Sequence, residues 1–287
     1  MMEKDFPALY RSADQLSLAS QGHFFRALKT HLLMLVMAAV LSIISIPHWS
    51  VAAMQLLALL AALGCSIYLF SMRPDKLWYA GRAVAESIKT VTWRYVCRAE
   101  PFLSDDAVAR SDFRQTLKAI VEQNREVCQT LTDYLDGAQI TPAMEQMRAQ
   151  ALDKRREIYA NNRVSDQLSW YAKKAGFNRR MSKGFFWTLI AVNSIAVVLA
   201  ILRIVHFDIS FWPTDVFIAA AASLLSWMQA KRFSELASSY ALAAHEISLI
   251  KEQSMLPETD SKFSLFVGDA ENAFSREHTQ WVARKDV

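Results

Sequence analysis

The sequence is poor in cysteine, glycine and proline. Its three cysteines, Cys65, Cys97 and Cys128, are far apart, odd in number and form no CxxC pair. That excludes a disulfide framework and a cysteine-based zinc site, and fits a reducing compartment. The six histidines are scattered, without metal-ligand spacing. No GxGxxG or Walker-type loop occurs, so nucleotide hydrolysis is not expected. The formal charge of +4 is too small to argue for nucleic acid. Polar residues dominate the segment before the first apolar run, and no small-residue cleavage site follows that run, so no secretory signal is expected.

What is abundant is apolar sequence, at 53% of the 287 residues. From Leu32 to Phe70 the only side chain able to carry charge near neutral pH is His48. As one helix this stretch would measure about 58 Å, against a hydrocarbon core of about 30 Å. It must fold back, and Pro47-His48-Trp49-Ser50 supplies a turn with Trp49 at the interface. A second apolar region repeats the layout. Gly184 to Leu202 is uncharged and long enough to span. Arg203, His206 and Asp208 mark a polar connection, and Trp212-Pro213 opens a fourth span running to about Ala230. Asp215 lies one turn inside that span, where a helix N-terminus favours a carboxylate. A soluble bundle would need polar faces at helical spacing, which these runs lack.

The expected fold is therefore all-α: a helical integral membrane protein of two transmembrane hairpins carrying a cytoplasmic helical bundle. The divisions are a cytoplasmic N-terminal segment (1–30), a first hairpin (31–72), a cytoplasmic helical region (73–183), a second hairpin (184–230) and a cytoplasmic C-terminal part (231–287). Basic residues flank the spans on one side: Arg26 and Lys29, Arg73 and Lys76, Lys173 to Lys183, Lys231 and Arg232. By the positive-inside rule both termini and the middle region are cytoplasmic. Within the spans the polar residues are mild. Gln55 and Asn193 are the notable ones, with Asn193 expected in an interhelical hydrogen bond and pore lining as its alternative role. No acid or base sits at mid-membrane, which counts against a coupled transporter.

Spans two, three and four are each expected to run on into cytoplasmic helices. Span two would end before Pro101 and span four near Ser254. Ser104 is a candidate N-cap. Helices are expected from about Asp112 to Leu135, closed at Asp136-Gly137, and from Thr141-Pro142 without interruption into span three. A last helix is expected over about Asp269 to Arg284, with Phe274, His278 and Trp281 on one face. The hairpins also suggest a duplication, since Phe24-Phe25 precedes span one as Phe185-Phe186 precedes span three.

Three blocks then stand out. They are Trp78-Tyr79-Ala-Gly-Arg82 through Trp93-Arg94-Tyr95 with Glu100-Pro101-Phe102, Asn162-Arg163-Val-Ser-Asp166-Gln167-Leu-Ser-Trp170-Tyr171, and Glu271-Asn272-Ala-Phe-Ser275 through Trp281. In that order they resemble the SLATT family, the SMODS- and SLOG-associating transmembrane effector domains of bacteria. The resemblance implies a four-span inner-membrane effector in a nucleotide-sensing conflict system. Such a protein would oligomerise and permeabilise the membrane. Its partners would be nucleotidyltransferase or SLOG-type signalling proteins, with no cofactor. The alternatives are a membrane-anchored scaffold and, behind it, a small-solute transporter.

Arg82, Glu86, Lys89 and Trp93 share one helical face with Trp78 at its edge. They read as a coupling surface beneath the membrane or as an ion-pair ladder with aromatic packing. Arg163, Asp166, Gln167, Trp170 and Tyr171 read similarly, with Asp166 expected to pair with Arg163 or to reach Arg82. Ser275, Glu277 and His278 share one short helix, whereas a catalytic triad converges from separate elements. No enzyme is expected.

Overall fold

Long runs of Ala, Leu and Met, with proline only at their margins, leave the backbone little alternative to helix. The computed structural model describes residues 1–44, 48–206, 208–209 and 211–283, with side chains through residue 275. Among these residues the regular structure is all-helical, without strands. Helices α1 (Ala8–Ser42), α2 (Trp49–Met72) and α3 (Pro74–Val96) are followed by α4 (Asp106–Gln123) and the single turn α5 (Arg125–Cys128). Next come α6 (Pro142–Arg148), α7 (Leu152–Tyr159), a π-helical turn (Ala160–Val164) and α8 (Ser165–Val205). Helices α9 (Thr214–Lys231), α10 (Phe233–Gln253) and α11 (Asp260–Ala283) complete the chain.

The chain divides into two compact units. One comprises Met1–Gln21, Asp75–Ala172 and Ala241–Val287, the other Gly22–Pro74 and Lys173–Tyr240. The second unit holds the apolar helices. Three helical stretches are long and apolar enough to cross a membrane: Ala8–Ser42, Trp49–Met72 and Leu152–Val205. Only 11%, 11% and 6% of their most apolar windows are buried within the protein. A soluble bundle would bury those faces, and a bilayer covers them instead. Helix α9 carries Asp215 in its first turn and Lys231 in its last, and it does not reach the same length and apolarity. Where these helices run through the second unit, their buried apolar residues are small: Ala38, Ala58, Ala62, Ala196 and Ala221. Large side chains such as Leu57, Phe70, Val197 and Ile204 point outward. Small residues inside and large ones outside is the packing of helices in lipid, where close approach of backbones replaces the hydrophobic drive.

Polar groups in this unit use helix carbonyls. The Gln55 amide donates to Ala38 O across α1 and α2 at 3.4 Å, and His31 Nδ1 lies 3.0 Å from Ala62 O. Asn193 departs from expectation. It donates to Leu189 O of its own helix at 2.9 Å, one turn back, rather than between helices. At one end of the unit Lys231 lies 3.3 Å from the centroid of the Phe25 ring, and Phe25 meets Trp227 edge-on at 5.8 Å. Phe185 stacks on Phe233 at 5.4 Å. His48 caps α2 by accepting from Ser50 N, whereas the expected turn at Pro47 lies outside the described residues.

The expected helix continuity is redistributed. α1 and α8 are unbroken through spans one and three. α2 stops at Met72 and α9 at Lys231. Each is followed by one arginine in the left-handed region, Arg73 (φ 43°) and Arg232 (φ 51°), after which a new helix starts. An L-residue there costs about 1–2 kcal/mol. The break after span two coincides with Pro74, which cannot extend the hydrogen-bond ladder of α2.

Other boundaries move for local reasons. The N-cap of α4 is Asp105, accepting from Ala107 N and Val108 N, and not Ser104. That helix ends at Gln123, where the Asn124 amide takes Ile120 O, so no helix reaches Leu135. Thr141 and Pro142 do start α6, with Thr141 Oγ1 accepting from Met144 N. The helix breaks again at residues 149–151, where arginine side chains capture Arg148 O and Gln150 O. α11 begins at Asp260, where Thr259 Oγ1 accepts from Lys262 N.

Gly137 is not a left-handed cap; its role is close approach. A Cβ there would lie 2.6 Å from Ala8 Cβ and 3.2 Å from Tyr134 O, beside the Ala8 N to Ala138 O hydrogen bond. Gly137→Ala should cost about 1–3 kcal/mol through overpacking, read as a lower thermal midpoint of the purified full chain. An unchanged midpoint would refute the close-packing role.

Candidate functional site

The first unit is built on an aromatic core. Phe6 meets Tyr10 at 4.7 Å and Trp93 at 6.3 Å, and Trp93 meets Tyr159 edge-on at 5.8 Å. Tyr95 packs on Phe113 at 4.7 Å. Around this core the chain buries charge.

α3 ends at Val96, and Arg98 takes a left-handed conformation ahead of Pro101. In the turn that follows, Trp93 O, Arg94 O and Tyr95 O take the backbone N–H groups of Cys97, Ala99 and Arg98. Arginine side chains supply further donors to the carbonyls of this buried turn. Arg148, 1% exposed, donates to Tyr95 O at 2.7 Å, to Phe102 O at 3.0 Å and to Ser104 O at 3.1 Å. Its Nε pairs with Asp106 at 2.9 Å. Arg155, 3% exposed, donates to Cys97 O at 2.7 Å and pairs with Asp260 of α11. Tyr95 donates its hydroxyl to Glu145, which Arg110 holds with two further bonds. Burial, and then that hydrogen bond, push the Tyr95 phenol up to about 12. Burial drives the Cys97 thiol well above its ordinary value, so it is no nucleophile.

The π turn at residues 160–164 places Arg163. Its Nε and Nη2 form a two-bond fork on Glu271 of α11, at 2.8 and 2.7 Å. Arg163 is 2% exposed and Glu271 is fully buried. Tyr159 and Thr90 donate to the same carboxylate, each at 3.0 Å. Four donors thus compensate one buried charge, as such a group requires. The pairing expected between Asp166 and Arg163 or Arg82 does not form. The extra residue in the π turn swings Arg163 toward α11, and Asp166 stays exposed with no ion pair among the described residues. Arg82 pairs with Glu86 at 2.8 Å, one turn along α3, and lies 3.9 Å from Asp14 of α1. Burial pulls its guanidinium down, but Glu86 and Asp14 more than offset that and hold it charged.

Lys89, Trp93, Arg163, Asp166 and Gln167 are brought together with Asn162 and residues of α1 around one open cavity of about 200 Å³. Trp78 and Tyr79 stack at 4.4 Å, and Trp170 meets Tyr171 edge-on at 4.9 Å. Those four residues do not line the cavity. His278 and Trp281 lie outside the residues whose side chains are described. Sequence reasoning missed Arg148, Arg155 and Glu271 as partners. Glu271 stood inside the third motif block, and its apolar helical surroundings were the one available signal. No group of His, Cys, Asp and Glu suited to a metal occurs among the described residues.

Fold and site together define an all-α membrane protein whose first unit locks its helices through buried arginine pairs. Residues 7–156 match the SMODS and SLOG-associating 2TM effector domain 3, and residues 159–281 match the SMODS and SLOG-associating 2TM effector domain 1. The chain belongs to the SLATT family, with two such modules in tandem. No curated protein and no solved structure matches it.

Proposed function

We propose that the protein is a membrane effector of a nucleotide-linked conflict system, and that its oligomer permeabilises the bacterial inner membrane. The observation that carries this is the character of the apolar helices. Their large side chains face outward, their contacts are alanine-lined, and no acid or base lies at mid-span. Such helices suit association with further copies in the bilayer more than binding and release of a coupled solute. In this reading the chain crosses four times, with α9 as the fourth span and Asp215 at its interfacial N-terminus. Both termini face the cytoplasm, and a nucleotidyltransferase or SLOG-type protein supplies the trigger. No catalytic step is assigned to the chain.

Induced expression together with the cognate signalling protein should collapse the membrane potential, read with a potential-sensitive dye. The same cells should stay polarised with a chain truncated before α8. A preserved potential in both would sink the pore reading. The firmly packed cytoplasmic unit supports a second reading, a non-conducting scaffold. Capture of a nucleotidyltransferase or SLOG protein without any current in planar bilayers would select it.

A further inference from the structure

The cavity in the first unit combines an aromatic floor with charged and polar walls. Its floor is aromatic and buried: Phe6, Tyr10 and Trp93. Two of its lining side chains hold buried N–H groups without a partner, Trp93 Nε1 and Arg163 Nη1. A third lining group, the Lys89 ammonium, has no hydrogen bond or ion pair among the described residues, and burial pulls its pKa down. Buried donors without a partner, such as Trp93 Nε1 and Arg163 Nη1, are rare in native proteins and call for an explanation, whereas Lys89 is half-buried. Structural pairing does not provide one here, because the acids that could serve are engaged or at the rim. Glu271 is taken by the other two guanidinium nitrogens of Arg163 and by Tyr159 and Thr90, and Glu86 by Arg82.

The same space is also lined by three carboxylates: Glu3 and Asp166, both exposed, and Asp14, half-buried and only loosely paired with Arg82. A simple anion would satisfy the donors but meet these acids. A simple cation would satisfy the acids and leave the donors as they are. A ligand carrying both charges a few bonds apart answers both sets. The size agrees, since about 200 Å³ is room for roughly six or seven waters at about 30 Å³ each. A small α-amino acid has about that many non-hydrogen atoms.

We propose that this cavity binds a free small α-amino acid of the glycine, alanine or serine class. Its carboxylate is held by Lys89 with the Trp93 and Arg163 donors, and its ammonium by Asp14 and Asp166 over the aromatic floor. Ligand binding would tie α1, α3 and the π turn together, and it gives the chain a sensory input of its own. The inference does not depend on whether the spans conduct, because binding is read directly.

The test is calorimetric titration of the detergent-solubilised full chain with glycine, L-alanine and L-serine. Acetate, methylammonium and inorganic phosphate are the partial ligands. At least one amino acid should bind at least tenfold more tightly than each partial ligand. Lys89→Met and Asp166→Asn should each weaken that binding at least tenfold. Without ligand, Lys89→Met should melt no lower than the parent, since Lys89 makes no hydrogen bond or ion pair among the described residues and its burial outweighs the attraction of Glu86. Absence of binding by all three amino acids would overturn the proposal. So would acetate or phosphate binding as tightly as the amino acid, or both variants binding like the parent.

Discussion

Glu271→Ala should destabilise the protein by about 3–5 kcal/mol, the largest effect expected of any single carboxylate substitution in the chain. The variant leaves Arg163 charged, 2% exposed and facing no acceptor, and it removes the acceptor of Tyr159 and Thr90 as well. Most of the loss is the stranded guanidinium and not the bond itself. The double replacement Arg163→Met with Glu271→Leu should therefore recover more than half of it, because an apolar pair of similar volume bears no desolvation cost. Chemical denaturation of the full chain in detergent, followed by helical circular dichroism, measures both. If the single variant unfolds within 1 kcal/mol of the parent, the pair is not the lock between α11 and the helices it touches.

Arg148→Ala should cost a comparable amount, about 3–5 kcal/mol, for a different reason. Here the groups that lose a donor are neutral carbonyls in the turn that closes α3: those of Phe102 and Ser104, and that of Tyr95, which keeps only its bond from Arg98 N. Arg148→Lys keeps the charge but not the planar fork, and one ammonium cannot reach three carbonyls and Asp106 together. The lysine variant should thus recover less than half of the loss, in the same denaturation measurement. Full recovery by lysine would mean that charge, and not geometry, is what the turn requires.

The helical, membrane-spanning character was legible because it rests on composition over tens of residues. A run such as Leu32 to Phe70 permits nothing else. The joints were not legible, because each is decided by one or two residues. Nothing in the neighbours of Arg232 announces a left-handed arginine, and the break at 149–151 involves Arg98, which arrives from fifty residues away in sequence. The motif blocks did mark residues that converge. Arg82 with Glu86 followed from their spacing of four, as a helix requires. The partner of Arg163 did not. A π turn is invisible to any periodicity of 3.6, and it redirects that side chain from the near acid Asp166 to the distant Glu271.

That turn also sets what kinds of sequence change this segment can absorb. A π turn holds one residue more than the α turn it replaces. Deleting one residue between Ala160 and Val164 would let α7 and α8 fuse into an ordinary α-helix. The residue removed is the one the turn holds in excess, so α8 would keep its bearing. The side chains inside the turn would lose theirs, and Arg163 would no longer be aimed at Glu271. Asn161, exposed and apart from the cavity, is free to vary in chemistry. What aims Arg163 at this point is a count of residues.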